Sequence, residues 1–109
     1  MPTTYKVLGQ SNPSATTATT LYTVPALTQT IVSTVTVCNQ AATAGTYRIA
    51  IRVAGAGLAA NQYVAYDVSL PGNSTDTLTL GVTLGATDVV TVYASSGNFS
   101  FAAFGSELS

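Results

Sequence analysis

Alternation with a period of two runs through most of this chain, and it leaves a helix almost no foothold. Tyr47, Ile49, Ile51 and Val53 alternate with Arg48, Ala50 and Arg52, the pattern of a half-buried strand with both arginines on its outer face. Val64, Tyr66, Val68 and Leu70 alternate in the same way with Ala65, Asp67 and Ser69. Leu78 and Leu80 alternate with Thr77 and Thr79. Between Gln29 and Asn39, the spacing puts Ile31, Val35 and Val37 on one face and Val32, Thr34, Thr36 and Cys38 on the other. That strand, like Asp88 to Ala94, has little polarity on either side, as a central strand should. Phe99, Phe101 and Ala103 start a last strand whose phase shifts before Phe104, which predicts a bulge near Ala102–Ala103.

Turn chemistry separates these runs: Ser11-Asn12-Pro13, Pro25-Ala26, Ala44-Gly45, Gly55 to Gly57, Pro71-Gly72-Asn73, Gly85 and Ser96-Gly97-Asn98. Abundant Thr and Val oppose helix through lost side-chain freedom. Ala56 to Gln62 has room for one helical turn. The count is about eight or nine short strands, and burial on one side in some and both sides in others predicts an all-β, two-layer antiparallel β-sandwich. A jelly roll and an immunoglobulin-like sandwich both fit, with an open barrel third; the paired Cys around a Trp that marks antibody domains is absent. Residues 21–109 are expected to form the sandwich. Residues 1–20, rich in Ser, Thr, Ala and Pro from Ser11 onward, read as an N-terminal strand, an arm ordered against a neighbouring subunit, or a linker. The pair Leu78-Thr79-Leu80-Gly81 and Val82-Thr83-Leu84-Gly85 reads as a strand end with two tight turns rather than a repeat.

Charge narrows the function. Among 109 residues there are 3 Lys plus Arg, 4 Asp plus Glu and no His. Without His, and with Cys38 alone, neither the usual Cys/His zinc site nor a Ser-His-Asp or Cys-His arrangement can be assembled in one chain. Three basic residues are too few for a nucleic-acid backbone, which takes roughly six or more phosphate contacts. Gly55-Ala56-Gly57-Leu58-Ala59-Ala60 matches G-x-G-x-x-A, but a dinucleotide site needs a helix there and the next strand begins near Tyr63. Asn73-Ser74-Thr75 and Asn98-Phe99-Ser100 read as turns rather than glycosylation acceptors. Asp67, Asp76, Asp88 and Glu107 show no spacing that favours a catalytic pair, and Asp67 suits a cross-strand pair with Arg48 or Arg52. The chain is expected not to be an enzyme and to need no cofactor. No stretch approaches the ~18–20 apolar residues of a membrane span. Met1 to Gln10 lacks a basic region followed by an apolar run, so assembly in a cytoplasm is expected.

A folded monomer of this size exposes on the order of 5,600 Å², or about one charge per 800 Å², close to one partner's share of a standard interface. Thr, Ser, Asn and Gln replace the usual charges, which implies a surface that other protein can cover at low desolvation cost. Six tyrosines supply candidate contacts. Tyr63 and Tyr66 have opposite parity and are expected on opposite faces. With Tyr66 in the core, Tyr63 is exposed and is the first candidate contact residue, together with Gly55, Gly57 and Asn61 of the preceding loop.

Four stretches carry a resemblance: Leu21-Tyr22-Thr23-Val24-Pro25-Ala26 followed by Ile31 to Asn39; Tyr47 to Val53; Gly85-Ala86-Thr87-Asp88-Val89-Val90-Thr91-Val92-Tyr93-Ala94; and Phe101-Ala102-Ala103-Phe104-Gly105-Ser106-Glu107-Leu108. Together, over roughly Leu21 to Leu108, they resemble a family of small virion structural proteins of tailed bacteriophages, including those of cyanobacteria. The resemblance implies a capsid decoration (cement) or tail-associated protein and transfers no functional residue. It implies a homo-oligomer, with a trimer suggested by capsid threefold geometry, bound to the major capsid protein or to tail proteins. A tail, collar or baseplate component and a glycan-binding module of the virion are the alternatives.

Overall fold

The computed structural model describes residues 3–109. Its eight strands are β1 (Thr3–Ser11), β2 (Thr19–Thr23), β3 (Gln29–Asn39), β4 (Gly45–Arg52), β5 (Tyr63–Leu70), β6 (Ser74–Leu84), β7 (Val89–Ala94) and β8 (Phe99–Leu108). Two 3₁₀ turns, Val53–Gly55 and Ala60–Gln62, lie between β4 and β5, where one helical turn was expected. The strands form two four-stranded antiparallel sheets, ordered β1-β8-β3-β6 and β2-β7-β4-β5. Every connection except β4–β5 crosses from one sheet to the other, so the sandwich is a jelly roll of two interlocked Greek keys rather than an immunoglobulin-like sandwich. Its 5436 Å² of accessible surface is close to the value expected from mass.

The core lies between the sheets. Val35, Val37, Phe99, Phe101 and Ala103 of the first sheet meet Tyr47, Ile49, Val90, Val92 and Ala94 of the second, all nearly inaccessible. Tyr47, Phe99 and Phe101 form an aromatic cluster with ring centroids 6.2–6.5 Å apart. The two strands with apolar residues on both faces, β3 and β7, are interior strands of their sheets, as their composition requires. At one end of the core Asn39, 1% exposed, acts as a polar pin. Its amide nitrogen lies 2.9 Å from the Thr43 carbonyl, 3.2 Å from that of Leu70 and 3.3 Å from that of Pro71, and its oxygen accepts from the Ala41 N–H at 3.0 Å. One side chain thus ties the β3–β4 and β5–β6 crossings together.

Bulges redistribute the faces that simple parity predicts. Opposite Phe104, β1 and β3 each carry one residue more than β8: Val7 pairs with Phe104 and Gly9 with Ala103, while Val32 pairs with Gly105 and Thr34 with Phe104. The expected irregularity is there, but it resides in the partner strands around Leu8 and Ser33 rather than in β8. The Ser33 hydroxyl bonds the Phe104 carbonyl at 3.1 Å, satisfying a group the bulge displaces. Beyond Ser33 the phase reverses, so Ile31 does not share a face with Val35 and Val37 but is 49% exposed, while Thr30 and Val32 are buried. On β6 the extra residue falls between Thr79 and Val82, with Gly81 at φ +62, a conformation that favours glycine. The two tight turns expected there are instead one bulged, continuous strand.

The segment expected as strand, arm or linker belongs to the sandwich: β1 pairs along its length with β8, Leu8 enters the core, and β2 begins before residue 21. The Asn12 amide bonds the Gly97 carbonyl at 3.0 Å and the Phe99 carbonyl at 2.5 Å, fixing the chain where it leaves β1. Met1 and Pro2 of that expected segment lie outside the described residues.

Candidate functional site

The few charges occupy different faces in the two sheets. In the first sheet Lys6, Asp76 and Glu107 occupy inward rows of the register. Lys6 Nζ meets Glu107 Oε1 at 3.1 Å, and the Tyr22 hydroxyl bonds both Glu107 and Thr30. The Tyr22 hydroxyl bond, then Lys6, hold the Glu107 carboxyl below the usual range against the opposing effect of burial. Burial, then the Glu107 bond, push the Tyr22 phenol up to about 12. Asp76 accepts from the Tyr47 hydroxyl at 2.9 Å; burial first, and this carboxylate second, raise the Tyr47 phenol well above its ordinary value.

Among the described residues, the outward rows of that sheet therefore contain no charged side chain. They run Tyr5–Ser106–Ile31–Thr83, then Val7–Phe104–Thr34–Thr79, then Gln10–Ala102–Thr36–Thr77. Tyr5 is 82% exposed and Val7 and Ile31 49% each, with Phe104 half-buried beside them. A shallow depression of about 450 Å³ is lined by Tyr5, Lys6, Ile31, Ser33, Phe104 and Ser106. The face is one apolar patch bordered by hydroxyls.

The second sheet presents the opposite surface. Its outer face carries Arg48, whose guanidinium lies 4.3 Å from the ring centres of both Tyr66 and Tyr93. Asp67 grips the same group, with Oδ1 2.6 Å from Nε and Oδ2 3.3 Å from Nη2. This is the cross-strand pair expected from sequence, and the carboxylate bond raises the Arg48 pKa still further. Arg52 turns into the loop that follows β4, donating to the Ala56 carbonyl at 2.7 Å and the Gly55 carbonyl at 3.0 Å. Asp88 ties that loop to the β6–β7 turn by accepting from the Ala54 N–H at 2.8 Å and the Gly85 N–H at 2.9 Å. All four carboxylates are thus engaged with partners in the chain. No cluster of three or more metal-ligating side chains occurs among the described residues.

Tyr63 and Tyr66 do not point to opposite faces: their rings meet edge to face with centroids 4.8 Å apart. Register shifts along the β4–β5 pair, with Asp67 at φ +49, bring them together. Tyr66, expected in the core, is 57% exposed, and Tyr63 is half-buried. The two rings line an open hollow of about 600 Å³ with Leu58, Ala59 and Ala60. A second hollow, of about 460 Å³, includes Tyr63, Asn61, Gln62 and Val64. Tyr63 and Asn61 therefore sit on one surface. Gly55 and Gly57 serve the loop itself, each through its carbonyl, Gly55 to Arg52 and Gly57 to the Gln62 amide at 2.8 Å. Sequence reading missed the stacking of Tyr66 and Tyr93 on Arg48 and the exposure of Ile31. The outward parity of Arg48 and Tyr93 was visible, but their juxtaposition depends on strand order. Comparison with known families and with characterised proteins finds no match to this chain.

Proposed function

We propose that this chain is a virion structural protein: a capsid-decorating subunit, assembled in the host cytoplasm, that coats the outer shell as a homo-oligomer with trimer as the working arity. The observation that carries this reading is the outer face of the first sheet, whose outward rows hold no charged side chain among the described residues and gather Tyr5, Val7, Ile31 and Phe104 into one patch, with Lys6 alone reaching its depression. Four strands about 4.8 Å apart and about ten residues long give a face of roughly 600 Å², approaching the ~800 Å² per partner of a stable interface. Covering such a face strands no unpaired ion, since Lys6 is held by Glu107, and each hydroxyl at its border can find a partner across the joint. Contacts of this kind act cumulatively when many copies are held on one scaffold. The jelly-roll order agrees with a structural role, since this architecture recurs in viral capsid domains, although it also serves lectins and cupins. The resemblance of Leu21 to Leu108 to tailed-phage virion proteins points in the same direction.

The test is stoichiometry on purified particles together with rebinding of the isolated protein to stripped shells. Copies in the hundreds, and saturable rebinding to shells, are expected. A few dozen copies or fewer, recovered with tails, would assign the chain to a tail, collar or baseplate instead. Absence from particles would end the virion reading.

A further inference from the structure

The two hollows that share Tyr63 beside β5, taken together as one groove, have the composition of a binding site for an uncharged chain of sugar rings. The two hollows share Tyr63, so a ligand passing over it contacts Leu58, Ala60 and Tyr66 on one side and Asn61 and Val64 on the other. No charged side chain lines either hollow. The nearest cations are already occupied: Arg48 lies between two rings and on Asp67, and Arg52 is bound to loop carbonyls. An anionic ligand therefore finds no counter-charge, and a cationic one finds no free carboxylate.

The groove is also built in advance. Tyr66 is exposed yet held by Arg48 on one side and Tyr63 on another. The loop is fixed by Arg52 and by Gln62, whose side chain accepts from the Ala59 N–H and donates to the Gly57 carbonyl, both at 2.8 Å. Rings that are ordered before the ligand arrives lose little freedom when it binds. The polar ends left on the groove are the hydroxyls of Tyr63 and Tyr66 and the Asn61 amide, each able both to donate and to accept. Aromatic faces for C–H groups, with amphoteric polar ends around them, match a pyranose, which has an apolar ring face and hydroxyls at its edge. An extended proline-rich peptide offers chiefly carbonyl acceptors and uses half of that inventory.

We propose that Tyr63, Tyr66 and Asn61 form a binding site for a neutral oligosaccharide, separate from the uncharged face of the first sheet. The test is to screen the full-length protein on an array of neutral and anionic oligosaccharides, then follow the best neutral hit by amide NMR titration. A proline decamer and a heparin oligosaccharide serve as rival ligands. Expected are binding to a neutral oligosaccharide, shifts concentrated between residues 51 and 66, and the same affinity at low and high salt. Tyr66→Ala and Tyr63→Ala should each weaken binding about tenfold, and Tyr66→Phe, which keeps the ring, by less. Should Tyr63→Ala lower the melting temperature, Asn61→Ala, an exposed change, carries the same test with a loss of about threefold. No neutral hit, binding by the anionic or proline ligand alone, or affinity unchanged in both alanine variants would each overturn the site.

Discussion

Ile31→Lys tests the uncharged face most directly. Ile31 is 49% exposed in the isolated chain, so about half of the ~1.5–3 kcal/mol gained by burying such a side chain is still available, roughly 1 kcal/mol. Ile31→Thr should forfeit that amount and weaken association about fivefold. Ile31→Lys adds an unpaired ammonium beneath the partner, which costs several kcal/mol more, and association should fall by about a thousandfold. Neither change disturbs the core, because the side chain points out of the sandwich, and the melting temperature of the monomer should move by only a few degrees. Sedimentation equilibrium over a concentration series gives the association constants, and thermal melts verify the fold. Val53→Lys, 67% exposed on the loop after β4, is the control and should leave association unchanged. If Ile31→Lys assembles as tightly as the parent, the face is not the joint and the reasoning fails.

Four other outcomes follow from the structure. Asn39→Asp replaces a donor aimed at three carbonyls with a buried acceptor, so urea denaturation should show a loss of about 3 kcal/mol or more at pH 7, shrinking as acid protonates the new carboxyl. Gly105→Ala would set a Cβ 1.9 Å from the Ile31 carbonyl oxygen, a backbone atom that cannot step aside, so the urea midpoint should drop by the equivalent of about 3 kcal/mol. The Glu107 carboxyl titrates below its unfolded value, so its contribution is complete above about pH 4.3 and is lost as pH falls through the folded pKa; Glu107→Gln should flatten that acid limb of the stability profile. The Tyr22 phenol, raised to about 12, contributes fully below its unfolded value of about 10 and loses that contribution between about 10 and 12, so Tyr22→Phe should flatten the alkaline limb.

How far the sequence could be read differs from strand to strand. β4 and β7 pair without interruption along their shared edge, and their faces were legible, except that Val53, read with the buried face of β4, lies beyond the strand and is 67% exposed. The Arg48–Asp67 pair was legible too, since both residues had outward parity on neighbouring strands. β3 and β5 were misread in part because one inserted residue reverses every side chain beyond it, whereas β6 keeps its alternation throughout and was misread only as turns around Gly81. Nothing about Ser33 in isolation announces a bulge; only its pairing with β8 makes it one. The same cause displaced the contact surface. Tyr63 was found, but Tyr66 was assigned to the core, and the Arg48 stack required knowing that β7 lies next to β4. Asn39 closed the run read as a strand from Gln29, and its role as a pin depends on the β5–β6 crossing folding back over it.

The irregularities at Leu8, Ser33 and Gly81 lie side by side, one strand after another, and so draw a crease across the first sheet. On one side of that fold line the outside is greasy; on the other it is paved with threonine. Bulges bend the strands that carry them, so the crease gives a small, nearly neutral slab an angle. A slab with such an angle can seat against a curved wall, and losing the single residue Ser33 would turn half of β3 inside out, bringing Ile31 inward and expelling Thr30 from beneath Tyr22.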